Sequence, residues 1–180
     1  QLSGSYGCVR NSSLIADRTT QGVGGCNVSG NHHVIYNCII EGSGDIDTLV
    51  DNDTHGTKIT PGTSCVWSID STYRYGSGDG IQAGTNAGDA HNLIFIAGNT
   101  CHDNRQTGIW FKAGEDSVVS SNTVYNCFAG PGGGGVGIGA QYGPDNLWII
   151  FNEIYDSDAG IRLAGASGGT GVNVYAIGNL

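Results

Sequence analysis

Three stretches of this 180-residue chain can be laid over one another, and that overlay limits the fold more than any other feature. The first runs His91-Asn92-Leu93-Ile94-Phe95-Ile96-Ala97-Gly98-Asn99-Thr100-Cys101 and closes with Gly108-Ile109-Trp110-Phe111. The second runs Ser117-Val118-Val119-Ser120-Ser121-Asn122-Thr123-Val124 and closes with Gly137-Ile138-Gly139-Ala140. The third runs Leu147-Trp148-Ile149-Ile150-Phe151-Asn152-Glu153-Ile154 and closes with Gly160-Ile161-Arg162-Leu163. Each has an apolar run, an Asn three residues after an apolar residue, a further apolar residue two positions on, and a Gly-Ile pair. An internal repeat of this length marks a stacked architecture.

The spacings agree. Asn99, Asn122, Asn152 and Asn179 are separated by 23, 30 and 27 residues. Ile81, Ile109, Ile138 and Ile161 are separated by 28, 29 and 23. Elastic periods suit coils whose strands are fixed and whose loops vary. After each of these isoleucines the alternation is the same: Ile81-x-Ala83, Ile109-x-Phe111, Ile138-x-Ala140, Ile161-x-Leu163. Side chains alternate faces along a strand, so these pairs point one way and the residues between them the other. No segment has a sustained helical period, and 32 glycines are too many for long helices.

Stacked coils pair each strand, parallel and in register, with one about 4.8 Å away. The isoleucines then form an internal aliphatic ladder. The asparagines form a second ladder at a bend, where an amide can donate and accept between coils and tolerate left-handed backbone. This pattern, clear from residue 31 to residue 180, resembles the right-handed parallel β-helix of the pectin-lyase-like superfamily. The expected fold is all-β, a solenoid of about six to seven coils. Residues 1–30 are expected to be an N-terminal cap or irregular first coil, and residues 31–180 the helix, ending on an incomplete coil.

Within the irregular coils, residues 57–60 and 65–69 read as strands around the Pro61-Gly62 turn, and residues 71–80 as a loop carrying Tyr73, Arg74 and Tyr75. The glycine run 132–135 is an insertion in the repeat. It lacks the Lys-Ser/Thr ending of a phosphate loop.

Formal net charge is −9, with 7 basic against 16 acidic residues. That balance opposes nucleic acid, which needs a basic footprint. It also opposes a polyanionic sugar unless calcium bridges the like charges. No apolar run approaches the length of a membrane span. The chain starts with Gln1 and has no Met, which suggests a processed or trimmed N-terminus. A composition high in Gly, Asn, Ser and Thr and low in Lys points to an extracellular protein, secreted or at the cell surface.

Six cysteines, Cys8, Cys26, Cys38, Cys65, Cys101 and Cys127, are even in number. Cys38 to Cys65 and Cys101 to Cys127 are each near one coil apart, so disulfides between neighbouring coils are candidates. Buried free thiols in the ladders are the alternative. Three sequons place glycosylation candidates at Asn11, Asn27 and Asn52.

The outward positions of the Gly-Ile strands form one lateral face: Gln82, Trp110, Lys112, Gln141 and Arg162, with Tyr142 beside Gln141. The family resemblance implies a sugar-binding groove on this kind of face. A ring stacks on a sugar, while amides and cations bond its hydroxyls. A solvated sheet face is the plainer alternative. The hydrolase patterns of the family, Asn-Thr-Asp, Asp-Asp, Gly-His-Gly and Arg-Ile-Lys, are absent. Arg105 and Lys112 are the basic residues near the middle of the repeat, with Asp79, Asp103 and Asp158 nearby in turns, but spacing alone sets no acid–base pair. The acidic run Asp45, Asp47, Asp51 and Asp53 is the candidate calcium site, against the alternative of a solvated loop. Scattered His32, His33, His55, His91 and His102 show no zinc-site spacing.

The resulting expectation is a secreted β-helix that binds or processes extracellular polysaccharide on its Gly-Ile face, as a lyase, hydrolase or epimerase. The alternative is a non-catalytic structural or adhesive protein stacked end to end into a filament. Its C-terminal half-coil, residues 174–180, would offer unpaired strand edges to a second copy.

Overall fold

A computed structural model describes residues 1–16, 25–42, 44, 54–129, 134–164 and 173–180. The acidic run Asp45, Asp47, Asp51 and Asp53 and the sequon Asn52 lie outside the described residues.

The repeat folds as a parallel β-helix in which each coil lays down three strands. The first coil is β1 (Cys8–Arg10), β2 (Ser13–Ile15) and β3 (Cys26–Val28). The second is β4 (Asn31–Tyr36), β5 (Ile39–Glu41) and β6 (Thr57–Ile59). The third is β7 (Ser64–Ile69), β8 (Thr72–Arg74) and β9 (Ile81–Ala83). The fourth is β10 (Asn92–Ala97), β11 (Thr100–His102) and β12 (Thr107–Lys112). The fifth is β13 (Glu115–Ser120), β14 (Thr123–Tyr125) and β15 (Val136–Gln141). The sixth is β16 (Asp145–Ile150), β17 (Glu153–Tyr155) and β18 (Ala159–Leu163), and β19 (Val174–Ile177) starts a seventh. Equivalent strands stack into three parallel sheets of seven, six and six strands. The first sheet starts each coil, the second follows the asparagine bend, and the third carries the Gly-Ile pairs.

The aliphatic ladder is as the alternation requires. Ile81, Ile109 and Ile138 are consecutive partners in the third sheet, each fully buried. Ile161 continues the column beside Ile138 and packs on the same core. Ala83, Phe111 and Ala140 form the parallel inward column. At the last coil that column opens, and Leu163 is exposed together with Ile177 and Leu180.

The glycine before each isoleucine has a separate cause. Gly25, Gly56, Gly80, Gly108, Gly137 and Gly160 form one column. A Cβ on Gly25 would lie 2.1 Å from the carbonyl oxygen of Gly56, and one on Gly56 2.5 Å from that of Gly80. The same contact recurs at Gly80 (2.7 Å), Gly108 (2.8 Å) and Gly137 (2.8 Å), each against the next glycine of the column. The coils therefore approach there to backbone contact, which only glycine permits.

The amide ladder is closed on itself. Asn122 donates from Nδ2 to the Ile96 carbonyl (3.0 Å) and to Asn152 Oδ1 (2.9 Å). Its own Oδ1 accepts the Asn99 backbone N–H (3.0 Å) and the Asn99 side chain (3.1 Å). Asn152 and Asn179 repeat the arrangement. The left-handed backbone, however, belongs to the residue before each ladder position, not to the ladder amide. Asn37, Asp70, Ser121 and Phe151 have φ of 49°, 49°, 54° and 56°, and Gly98 and Gly178 fill the same place. Cys38 and Ser71 occupy the ladder position in earlier coils, where Cys38 N–H donates to Ser71 Oγ (3.0 Å).

Two expectations are corrected here. Residues 71–80 are not wholly loop: β8 lies within them, and Tyr73 is fully buried, its hydroxyl 2.7 Å from Ser68 Oγ. Cys8, Cys26, Cys38, Cys65, Cys101 and Cys127 are free thiols, so the disulfide candidates fail. Near-coil spacing did not place two cysteines on one column. Cys8 faces Val34, Cys26 faces Thr57, and Cys101 faces Tyr73 and Val124. Burial raises the thiol pKa of Cys26, Cys101 and Cys127, which keeps them protonated core residues. No helix among the described residues is long and apolar enough to cross a membrane.

Candidate functional site

The outer face of the third sheet holds a cleft of about 200 Å³. Its side walls follow from register. Trp110 on β12 pairs with Gln82 below it and Gly139 above it, and Gly139 pairs in turn with Arg162. Lys112 pairs with Gln141. Trp110, Lys112, Gln141 and Arg162 all line the cleft.

The Trp110 ring lies across Gly139. A Cβ at Gly139 would sit 1.7 Å from ring carbon Cζ3 and 1.9 Å from Cε3. Glycine at 139 thus leaves the space over the sheet that the indole occupies. Gln82 corrects the expectation of an open face: it is 1 % exposed, with an unpartnered Oε1. Alternation turns it outward, but neighbouring groups cover it. Tyr142 follows Gln141 with φ 62° and is not among the residues lining the cleft.

The opposite wall comes from the corner between the second and third sheets. Asp79, Gln106 and Thr107 line it, with Val136 beside them. Asp79 is 3 % exposed, and His55 is buried behind it. His55 Nδ1 lies 3.3 Å from Asp79 Oδ2 and 3.1 Å from the Asp79 backbone N, which donates to it. Backbone and carboxylate thus converge on one ring nitrogen. Nδ1 accepts the Asp79 N–H when it is unprotonated, and it donates to Oδ2 only when it carries the proton. A signal for this wall exists in the sequence. His55, Asp79 and Thr107 each precede a column glycine, and Thr107 pairs with Val136 at the same level. Gln106 carried no motif that singled it out.

Electrostatically the cleft opposes the rest of the chain. Two of the protein's 7 basic residues, Lys112 and Arg162, line it, and Asp79 is its one carboxylate among the described residues. The net charge of −9 therefore lies largely elsewhere. A larger hollow of about 540 Å³ lies on the first sheet among Tyr6, His32, Val34, Trp67 and Leu93. It has no formally charged side chain. The third-sheet cleft is thus the better candidate for polar recognition. Among the described residues no group of three or more His, Cys, Asp or Glu side chains could hold a metal ion. Of the sequon asparagines, Asn11 and Asn27 are exposed.

No curated protein matches the chain in sequence. Among solved structures it is similar to the A-module of the Azotobacter vinelandii mannuronan C-5 epimerase AlgE4. The TM-score is 0.56 at 13 % identity, over 96 % of this chain and 58 % of that one. The AlgE6 A-module gives a TM-score of 0.50 at 12 % identity, over 98 % and 58 %. The chain thus spans under two thirds of either neighbour, and at such identity the likeness shows the fold alone. The model of the right handed beta helix region matches residues 2–179, and the chain belongs to that family.

Proposed function

We propose that this protein binds or processes an extracellular polysaccharide, and that its third-sheet cleft takes one acidic sugar residue of that chain. The observation that carries the reading is the Trp110 ring, laid across Gly139 and flanked by Lys112, Gln141 and Arg162. A flat indole matches the apolar face of a sugar ring. Two cations beside it match a carboxylate, and Arg162 can hold one with two parallel hydrogen bonds. The volume of about 200 Å³ is below the ~300–1,000 Å³ of sites that engulf a whole drug-sized ligand. That size suits one unit of a polymer lying along the sheet. The similar solved structures are, by their names, enzymes acting on mannuronan, which supports this substrate class.

Processing, of lyase, hydrolase or epimerase type, requires a group that moves a proton. Asp79, with His55 behind it, is the cleft carboxylate placed to do so. Calorimetric titration with oligomannuronate, oligogalacturonate and a neutral β-glucan tests the reading. Trp110→Ala is expected to weaken the acidic ligand about tenfold, the equivalent of ~1.4 kcal/mol. Arg162→Gln should weaken the acidic ligands and leave any neutral one unchanged. Asp79→Asn should keep binding and lose any turnover. Unaltered binding in Trp110→Ala and Arg162→Gln would return this face to a solvated sheet. Cell fractionation of the native protein tests the extracellular assignment, which a cytosolic location would overturn.

A further inference from the structure

His91 stands at the corner between β9 and β10, and it is 2 % exposed. Neither Nδ1 nor Nε2 has a hydrogen-bond partner. A buried imidazole normally satisfies at least one nitrogen. Here the ring edges meet bare backbone instead. A Cβ at Gly84 would lie 2.6 Å from its Cε1, and a Cβ at Gly114 would lie 2.4 Å from its Nε2. The ring rests on Phe111, centroids 5.1 Å apart. This nest fits a neutral ring and offers nothing to an imidazolium, whose two N–H groups would both lack acceptors. Burial accordingly pushes the His91 pKa down to about 4, with Asp89 pulling the other way.

A charged ring has a place to go. Beside the nest is a cavity of about 340 Å³ lined by His91 itself with Asn31, Ser64, Asn92 and Glu115. The charged groups around the position are few. Asp89, in the preceding turn, accepts the Thr85 and Asn86 N–H groups on one oxygen. Glu115, on β13, donates its backbone N–H to the His91 carbonyl (3.0 Å). Lys112, on β12, turns its side chain into the sugar cleft, while its carbonyl oxygen lies against Gly84. Phe111 separates Trp110 from Lys112 on β12, so the ring that His91 supports is the inner anchor of the cleft wall.

We infer that His91 is an acid-sensitive switch of the cleft: on protonation its ring leaves the glycine nest toward Glu115, unseats Phe111 and loosens Trp110 and Lys112. The effect on sugar rests on the function proposed above, whereas the loosening of β12 does not. The sign is fixed by linkage. The neutral ring belongs to the closed state, and the released ring regains an ordinary pKa near 6.5. The open state therefore gains about tenfold per pH unit between ~6.5 and ~4, about 150-fold at pH ~4, and levels off near ~300-fold below that. Above pH ~6.5 the cleft wall is closed.

The test follows the full chain from pH 7.5 to 4. The imidazole resonances are read by NMR, and exchange of the β12 amides is corrected for intrinsic pH dependence. Oligomannuronate binding is titrated over the same range for the native protein, His91→Phe and His91→Gln. The expected result is a His91 resonance titrating below the ordinary imidazole range, with β12 exchange rising at least tenfold in step. Binding should fall over the same window, and both responses should flatten in the variants. Acid-insensitive β12 exchange in the native protein, or an unchanged acid response in both variants, would overturn the switch. Absence of binding at pH 7.5 would instead overturn the polysaccharide reading, and exchange would still decide the switch. If neither variant folds, the native protein's own resonance and exchange decide it.

Discussion

Asn122 shows how much one side chain does in this fold. It supplies two donated and two accepted hydrogen bonds across three coils, and it is 1 % exposed. Asn122→Ala removes all four and strands the Asn99 N–H and the Ile96 carbonyl in a dry interior. The expected loss is about 2–4 kcal/mol, read as a shift in the urea midpoint at unchanged slope. A loss below ~1 kcal/mol would mean that water or a backbone shift replaces the ladder. These amides were legible in the sequence because their spacing repeats. Gln82 was not, because alternation gives the direction of a side chain and says nothing of what covers it. His91 was equally hidden. Its lost partners depend on Gly84 and Gly114, which come from different turns.

At the level of the strand, the column of glycines sets how closely coils pack. Gly108→Ala would place a Cβ 2.3 Å from Val124 Cγ1 and 2.8 Å from the Gly137 carbonyl oxygen. Relieving that contact should cost about 1–3 kcal/mol, as overpacking does. Gly160 belongs to the same column but, among the described residues, no atom lies within 4 Å of the added carbon. Gly160→Ala should therefore change stability by no more than about 0.5 kcal/mol. Thermal unfolding of the pair is the check. Equal losses would contradict an origin in coil-to-coil contact and point to backbone conformation. The Gly-Ile pairs disclosed the third sheet without a structure, and the apolar runs disclosed the first. The second sheet was harder to see, since three-residue strands such as β8 are too short to show a period. That is why Tyr73 read as a loop residue although it fills the core.

Across the whole molecule, a negatively charged solenoid carries a small cleft with two cations, an indole and one buried carboxylate. Sequence alternation brought Trp110, Lys112, Gln141 and Arg162 to one face before any coordinates. It could not show that Asp79 closes the cleft from another corner, because that wall depends on how the chain turns between sheets. Net charge and local charge point in opposite directions. A value of −9 argues against an acidic ligand, yet the local balance at the cleft favours one. The central claim is that this cleft is where an acidic sugar chain sits. The most direct measurement is chemical-shift mapping of the labelled protein with an oligomannuronate. The account predicts that the largest perturbations fall on the Trp110 indole N–H, the Gln141 side-chain amide, the Arg162 guanidinium and the backbone of Lys112. Perturbations confined to the first-sheet hollow around Trp67 and Leu93, or no perturbation at saturating ligand, would contradict it.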